Sequence, residues 1–492
     1  MRLPRNWFFL ALCILVPLHI FFVARDAWFT LPPKPIGDGP DYENIAYHLA
    51  GGEGWSYDWT DPRWRAPYLA AQQAMPVLPT SAVGPDSSPE DYAVHLARRD
   101  GMAPTTSRPP LLPAVIALVY WVVERGPTAF AIVRIVLACC LAVAGAIAVA
   151  MSARIASRLS EKVWPVTVAA TGTLVLAALD QTVRTYATDF LTEPIALLLL
   201  QIWLWCVCEL VCATSVLAPM ESSRNAAQRV RALATLSGIF LGLLIYTRSA
   251  IVLWLPGIWL LLLVSWWMRV STLAVHNYSA DEVRKNRQRG YAVATRVVFV
   301  CLLVCAPWWV RNCIVLGTWM PLGTQGSITL VGGYSDESLA QRGEWQLEPE
   351  LRLRQRVENE LATDDGGSLV RREMRVANAA TREVRGWTRR HLQDLPRLAG
   401  YRMLSEWAPY TGRALAWKLA ALLGLGYLTL RMPTAATVMG GVILINTLMV
   451  MALYSVGGRF LVPTYGILYT LAGVGAMCGL LAIATLIPTR RI

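Results

Sequence analysis

The sequence predicts an all-α polytopic membrane protein, a bundle of about ten transmembrane helices with juxtamembrane helices in its first outer loop. Three observations lead there. The chain has 492 residues, 55% of them hydrophobic, and a mean hydropathy of +0.42. Apolar runs near the length that crosses a bilayer recur from end to end. Arg and Lys gather in the short loops between those runs, which also explains the net charge of +12, so no nucleic-acid partner is expected.

The elements follow in order. Arg2 and Arg5 precede an apolar run from Trp7 to Val23 with no small-x-small cleavage site after it, which reads as an uncleaved first span, residues 1–24. Six further runs, at 128–151, 163–180, 190–212, 232–247, 250–268 and 294–316, give spans two to seven within residues 128–316. Runs at 413–430, 434–453 and 461–487 give spans eight to ten within 413–492. The run from Leu111 to Val123 is short, and charge decides its fate. If it spanned, the basic loops at Arg154, Arg158, Lys162 and at Arg224, Arg229, Arg231 would fall outside, with Arg490 and Arg491. If residues 109–123 lie along the surface, every basic loop falls inside, so both termini are expected to be cytoplasmic.

That topology leaves two long segments on the outer face. Residues 25–127 are rich in Pro, Trp and acids; residues 317–412 hold two charged helical stretches, Glu348–Leu361 and Val370–Trp407. In the second, Leu392, Leu395, Leu398, Tyr401, Met403 and Leu404 suggest a helix lying on the bilayer. All ten Cys fall within or at the ends of apolar runs, so neither a disulfide framework nor a Cys-based metal site is expected.

Chemistry-bearing residues collect at the outer rim. The stretch Ile36–Tyr57 carries Asp38, Asp41, Glu43 and Glu53. Tyr42, Ile45, Ala46 and Leu49 recur at helical spacing, which predicts an amphipathic helix from Asp41 whose acidic start faces an aqueous pocket. A solvated cap and loop is the plainer reading. Asp189 and Glu193 stand at the mouth of the fourth span, and Arg108, Arg248, Arg311 and Arg459 at the same depth. The positive-inside bias depletes such outer Args; bidentate contact to a lipid phosphate accounts for them, as does snorkelling or pairing with a structural acid. Apolar walls, a few carboxylates and several Args suit a carboxylate that deprotonates an acceptor hydroxyl while Args stabilise a departing lipid phosphate. The five His have no metal spacing, and there is no Walker loop, GxSxG or HExxH. The Trp55, Trp59 and Trp64 run is read as an interface anchor or a sugar-stacking surface.

Six motifs then occur in an order that resembles the GT-C membrane glycosyltransferases, specifically the family-39-like group of protein O-mannosyltransferases and lipid A aminoarabinose transferases. They are the acidic loop with Asp38, Tyr42, Ile45, Ala46, Gly51 and Gly52; R-P-P-L-x-P at Arg108–Pro113; Glu193-Pro194; Arg248 between two close spans; P-W-x-x-R-N with Pro307, Trp308, Arg311 and Asn312; and G-G-R-F-x-x-P at Gly457–Pro463. The resemblance implies a GT-C-type bundle and a glycosyltransferase that takes a polyprenyl-phosphate sugar donor on the extracytoplasmic face of a bacterial inner membrane. The acceptor is open between protein, lipid and polysaccharide. It implies Asp38 as general base, Glu193 as second acid, and Arg248, Arg459 and, more weakly, Arg108 and Arg311 on the lipid phosphate, with Tyr42 and Asp189 lining the substrate. Many members carry an acid pair at the head of the first motif. Here Gly39 holds the second place, so Asp41 takes the companion role or is itself the base. No cofactor is demanded; a divalent cation, Mg²⁺ or Mn²⁺, held by Asp and Glu is compatible with the sequence. Two other classes fit less well: a transporter or flippase, which needs charges near the bilayer midplane, and a non-catalytic binder of lipid-linked glycans, which does not need Asp38 and Glu193.

Overall fold

The computed structural model describes residues 2–35, 37–74, 101–213, 224–274, 279–361, 368–409 and 411–486. Ile36, at the head of the acidic stretch, and Arg490 and Arg491 lie outside them, as does most of 75–107 in the first outer segment. The helices in chain order are α1 (Arg2–Ala24), α2 (Gly39–Ala50), α3 (Pro62–Ala74), α4 (Leu111–Val122), α5 (Pro127–Leu159), α6 (Val163–Leu179), α7 (Thr182–Thr188), α8 (Glu193–Ala213), α9 (Arg224–Ile245) and α10 (Leu255–Ala274). They continue as α11 (Ala280–Leu316), α12 (Gln325–Gly333), α13 (Asp336–Ala340), α14 (Glu348–Leu361), α15 (Leu369–Arg390), α16 (Leu395–Trp407), α17 (Gly412–Arg431), α18 (Pro433–Ala452) and α19 (Tyr465–Leu486). Two 3₁₀ turns, Ser249–Trp254 and Arg459–Thr464, lead into α10 and α19. Two short strands, β1 (Ser56–Tyr57) and β2 (Ala103–Pro104), pair antiparallel.

Among the described residues, 9 helices are long and apolar enough to cross a membrane, or 10 when α6 and α7, bent by 46°, count as one span. The chain is an all-α polytopic membrane protein. Helix α4, at about 1.5 Å per residue, is too short for a hydrocarbon core of about 30 Å, in keeping with the charge argument that laid it along the surface. One expectation needs correction. The stretch 370–407 is two helices, because Pro396 has no N–H to continue a ladder and Asp394 takes the N-cap position of α16. Leu392 and Leu404 are exposed on this segment while Leu398 is buried.

Buried polar residues tie the elements between α1 and α5 to the bundle. Arg134 of α5, fully buried, donates to the carbonyls of Thr188 (2.9 Å), Phe29 (3.1 Å) and Leu31 (2.7 Å), fixing the chain that leads from α1 towards α2. Glu43 of α2 is fully buried and accepts from Tyr68 Oη (3.0 Å), Tyr120 Oη (2.9 Å), Arg125 Nε (2.6 Å) and the indole of Trp64, so one carboxylate locks α2 to α3 and α4. The Trp run divides accordingly: Trp64 is core, Trp59 packs edge-on against it at 5.3 Å, and Trp55 meets Trp308 of α11 at 5.0 Å.

Candidate active site

Helix α2 begins two residues earlier than its periodicity predicts. Pro40 sits in the first turn, where its fixed φ suits a helix start and its missing N–H costs nothing, and Asp38 occupies the N-cap position. Asp38 and Asp41 therefore share one face of the helix N-terminus, where the macrodipole favours anions. Arg108, just before α4, donates through Nη1 to Asp38 Oδ1 (2.8 Å) and through Nε (2.7 Å) and Nη2 to Asp41 Oδ2, with its guanidinium over the Tyr42 ring at 5.4 Å. The other Asp38 oxygen, Oδ2, takes Arg459 Nη1 at 2.8 Å.

Arg459 comes from the far end of the chain. Gly457 and Gly458 have φ of 54° and 83°, the left-handed region that glycine adopts without strain, and the turn they make delivers Arg459 at the head of its 3₁₀ segment. Its Nε donates to Glu193 Oε1, and Arg248 Nη2 lies 3.6 Å from the same oxygen. The motifs also touch through the main chain: Leu111 N donates to Tyr246 O (3.0 Å), and Arg248 Nη1 donates to Arg459 O (3.4 Å).

The result is a string of alternating charge, Asp41–Arg108–Asp38–Arg459–Glu193–Arg248, assembled from five stretches of sequence. Three carboxylates balance three guanidiniums. Asp38 keeps 26% of its side chain exposed, whereas Glu193 keeps 0%, so Asp38 stands at the mouth and Glu193 at the closed end. One Glu193 oxygen, Oε2, is buried without a hydrogen-bond partner among the described residues. Burial raises the Asp38 carboxyl, but the charges of Arg108 and Arg459 outweigh it and hold the group well below the usual carboxylate range. Burial pushes the Tyr42 hydroxyl up to about 12, against the opposing pull of Arg108.

Two residues expected at the site lie elsewhere. Arg311 donates to Thr105 O (2.6 Å) and Trp55 O (3.0 Å) and stacks on Trp308 at 4.8 Å, tying the β1–β2 region to α11. Asp189 pairs with Lys34 at 3.2 Å, and burial raises its carboxyl in spite of that cation. Its carbonyl, however, abuts Gly39: a Cβ there would lie well inside contact distance of Asp189 O and 3.1 Å from Pro33 Cβ. No side chain fits in the second place of the acid pair, which makes Asp41 the only companion Asp38 has on that turn. Gly39→Ala should cost about 1–3 kcal/mol of stability by overpacking and swing Asp38 away from Arg459, read as a lower melting temperature together with reduced turnover.

Glu406 was missed by sequence reading. Fully enclosed on α16, it accepts from Leu461 N (2.9 Å) and Ser455 Oγ (2.8 Å) and so orients the turn that presents Arg459; burial raises its carboxyl. The spacing Leu398, Arg402, Glu406, one buried stripe at i, i+4, i+8, was the available signal. Tyr454 packs on Phe460 at 5.3 Å, and Phe460 in turn carries the Arg248 guanidinium 4.6 Å above its ring.

Among the described residues, no group of three or more His, Cys, Asp or Glu side chains is placed to hold a metal ion. Both oxygens of Asp38 and Oδ2 of Asp41, which a Mg²⁺ or Mn²⁺ would draw on, hold guanidiniums instead.

No family model matches the chain, and no curated protein matches it by sequence. Three solved structures of an oligosaccharyltransferase from Archaeoglobus fulgidus resemble it. The apo form has a TM-score of 0.50 at 14% identity, covering 98% of this chain and 51% of that one. AglB in complex with an inhibitory peptide and a dolichol-phosphate gives 0.49 at 12%, covering 99% and 53%. The complex with Zn and sulfate gives 0.42 at 13%, covering 78% and 42%. The chain thus spans about half the length of these proteins. At this identity the likeness to the apo form is one of fold alone.

Proposed function

We propose that this protein is a GT-C membrane glycosyltransferase of the family-39-like kind, which moves a sugar from a polyprenyl-phosphate donor to an acceptor hydroxyl on the extracytoplasmic face of a bacterial inner membrane. In this reading residues 25–127 and 317–412 form the outer face over the spans at 1–24, 128–316 and 413–492. The observation that carries it is that Asp38, partly exposed within the charge string, is clamped between Arg108 and Arg459.

The chemistry follows from that clamp. The donor phosphate competes with Asp38 for Arg108 and Arg459, and Arg248 adds a third positive charge at the closed end. Drawing the guanidiniums onto the phosphate relieves Asp38 of the two cations that depress it, and the carboxylate becomes a better base when the acceptor arrives. Asp38 then takes the acceptor hydroxyl proton while the oxygen forms its bond to the anomeric carbon. The bond from that carbon to the phosphate oxygen breaks in line on the other side, with inversion, and the electron pair leaves on a phosphate held by Arg459, Arg248 and Arg108. Glu193, too buried to meet an acceptor, holds two of the Args in place. Donor loading and base activation are therefore one event.

The test is release of polyprenyl phosphate by the purified protein in lipid nanodiscs, given a panel of polyprenyl-phosphate sugars with and without envelope extract as acceptor. Release names the donor. Absence of both release and donor binding across the panel would overturn the reading in favour of a transporter.

A further inference from the structure

Helix α15 divides its surface sharply. Val376, Ala377, Ala380 and Trp387 are buried, the first three in a small core with Ile328 and Val331 of α12 and Leu353 and Val357 of α14. On the opposite side Arg371, Arg382, Arg385 and Arg389 are exposed. At about 100° per residue these four lie within about 40° of one line, which runs roughly 27 Å along the helix. Among the described residues no carboxylate pairs with any of the four, and the nearby Glu383 is taken by Arg356 of α14. Like charges at helical spacing repel, so the line is a standing cost unless an anion meets it.

The buried side of the first turns of α15 lies near the candidate active site. Glu373, in the first turns of α15, accepts from Thr106 Oγ1 (3.2 Å) and Tyr57 Oη (3.3 Å), and Thr106 lies two residues before Arg108. A bilayer surface is a poor match for the Arg line. Helices that bind membranes flank their cations with exposed apolar anchors, but among the described residues the large exposed hydrophobics jump from Leu322 to Leu392, with none on α15. Those on the next segment, Leu392, Met403 and Leu404, suit lipid; α15 does not.

We propose that this Arg line is the docking track for an anionic acceptor chain, one bearing repeated carboxylates or phosphates, which is guided along α15 towards Asp38. The proposal rests on the glycosyltransferase reading and adds to it the charge class of the acceptor.

The experiment uses the full chain in nanodiscs of zwitterionic phosphatidylcholine, with a fluorescent oligogalacturonate as the carboxylate probe and a medium-chain polyphosphate as the phosphate probe. Wild type is compared with the triple variant Arg382→Gln, Arg385→Gln, Arg389→Gln, whose positions lie outside the charge string. The expected result is binding of at least one probe by wild type. Affinity should fall about tenfold or more in the variant, and similarly in wild type between about 50 and about 500 mM NaCl, with melting temperature and acceptor-free donor turnover unchanged. Equal affinity in the variant, or no binding of either probe by wild type, would overturn the track. So would a variant whose only change is weaker association with phosphatidylglycerol vesicles, since that assigns the face to lipid. Donor turnover failing while probe binding persists would instead overturn the catalytic reading and leave the track standing.

Discussion

Asp38→Asn is expected to lower sugar transfer by about 10²–10⁴, the usual worth of a positioned base, in a protein that remains folded. Asn keeps the size of the side chain, and the site is partly open, so little stability is lost with the carboxylate. What changes is the competition for guanidiniums. Without the Asp38 charge, Arg108 and Arg459 are freer to meet a phosphate, so donor affinity should hold or rise while turnover collapses. That opposition separates loss of a base from general damage, which weakens both. Asp41→Asn, measured beside it, should cost far less, since Asp41 touches only Arg108 in the string. The reverse ranking would make Asp41 the base. The pH profile has a sign too. Arg108 and Arg459 hold Asp38 below the usual carboxylate range, so the acid limb of kcat/KM for the donor, which reports the free enzyme, should fall below about pH 4.

Arg459→Met is expected to be the second most damaging change, for two reasons that can be measured apart. Removing a preorganised cation from the leaving phosphate should lower turnover by about 10²–10³. It also strands Glu193, fully buried and left with Arg248 at 3.6 Å as its remaining cation, and breaking a buried pair from one side costs about 3–5 kcal/mol. Adding Glu193→Gln removes the stranded charge. The double variant should therefore recover most of the melting temperature and none of the turnover. Recovery of both would make Arg459 purely structural and leave the phosphate without its principal ligand.

Most of the architecture was legible because a span is a local property. Twenty apolar residues announce themselves whatever they pack against, and the twelve of α4 fall short of that length. The Arg–carboxylate pairs were less legible. Arg108, Arg248 and Arg311 look alike in sequence, each an outer Arg beside an apolar run, yet two join the string and the third holds carbonyls. Glu43 and Asp41 likewise stand two residues apart on α2 with opposite fates, one sealed among aromatic donors and Arg125, the other facing Arg108.

The sequence by itself thus determined the class of molecule and the approximate number of its spans, since hydropathy acts over neighbouring residues, while helices such as α5 and α11 run past the apolar runs that announce them. The tertiary structure decided which acid meets which Arg. It brought Asp38 from the first loop, Arg108 before α4, Glu193 from α8 and Arg459 from the last turn into one string, with Gly39 pressed against the Asp189 carbonyl at its edge. Ion pairs a few ångströms long between residues hundreds of positions apart leave no periodicity in a chain. They exist only once helix packing has closed the distance.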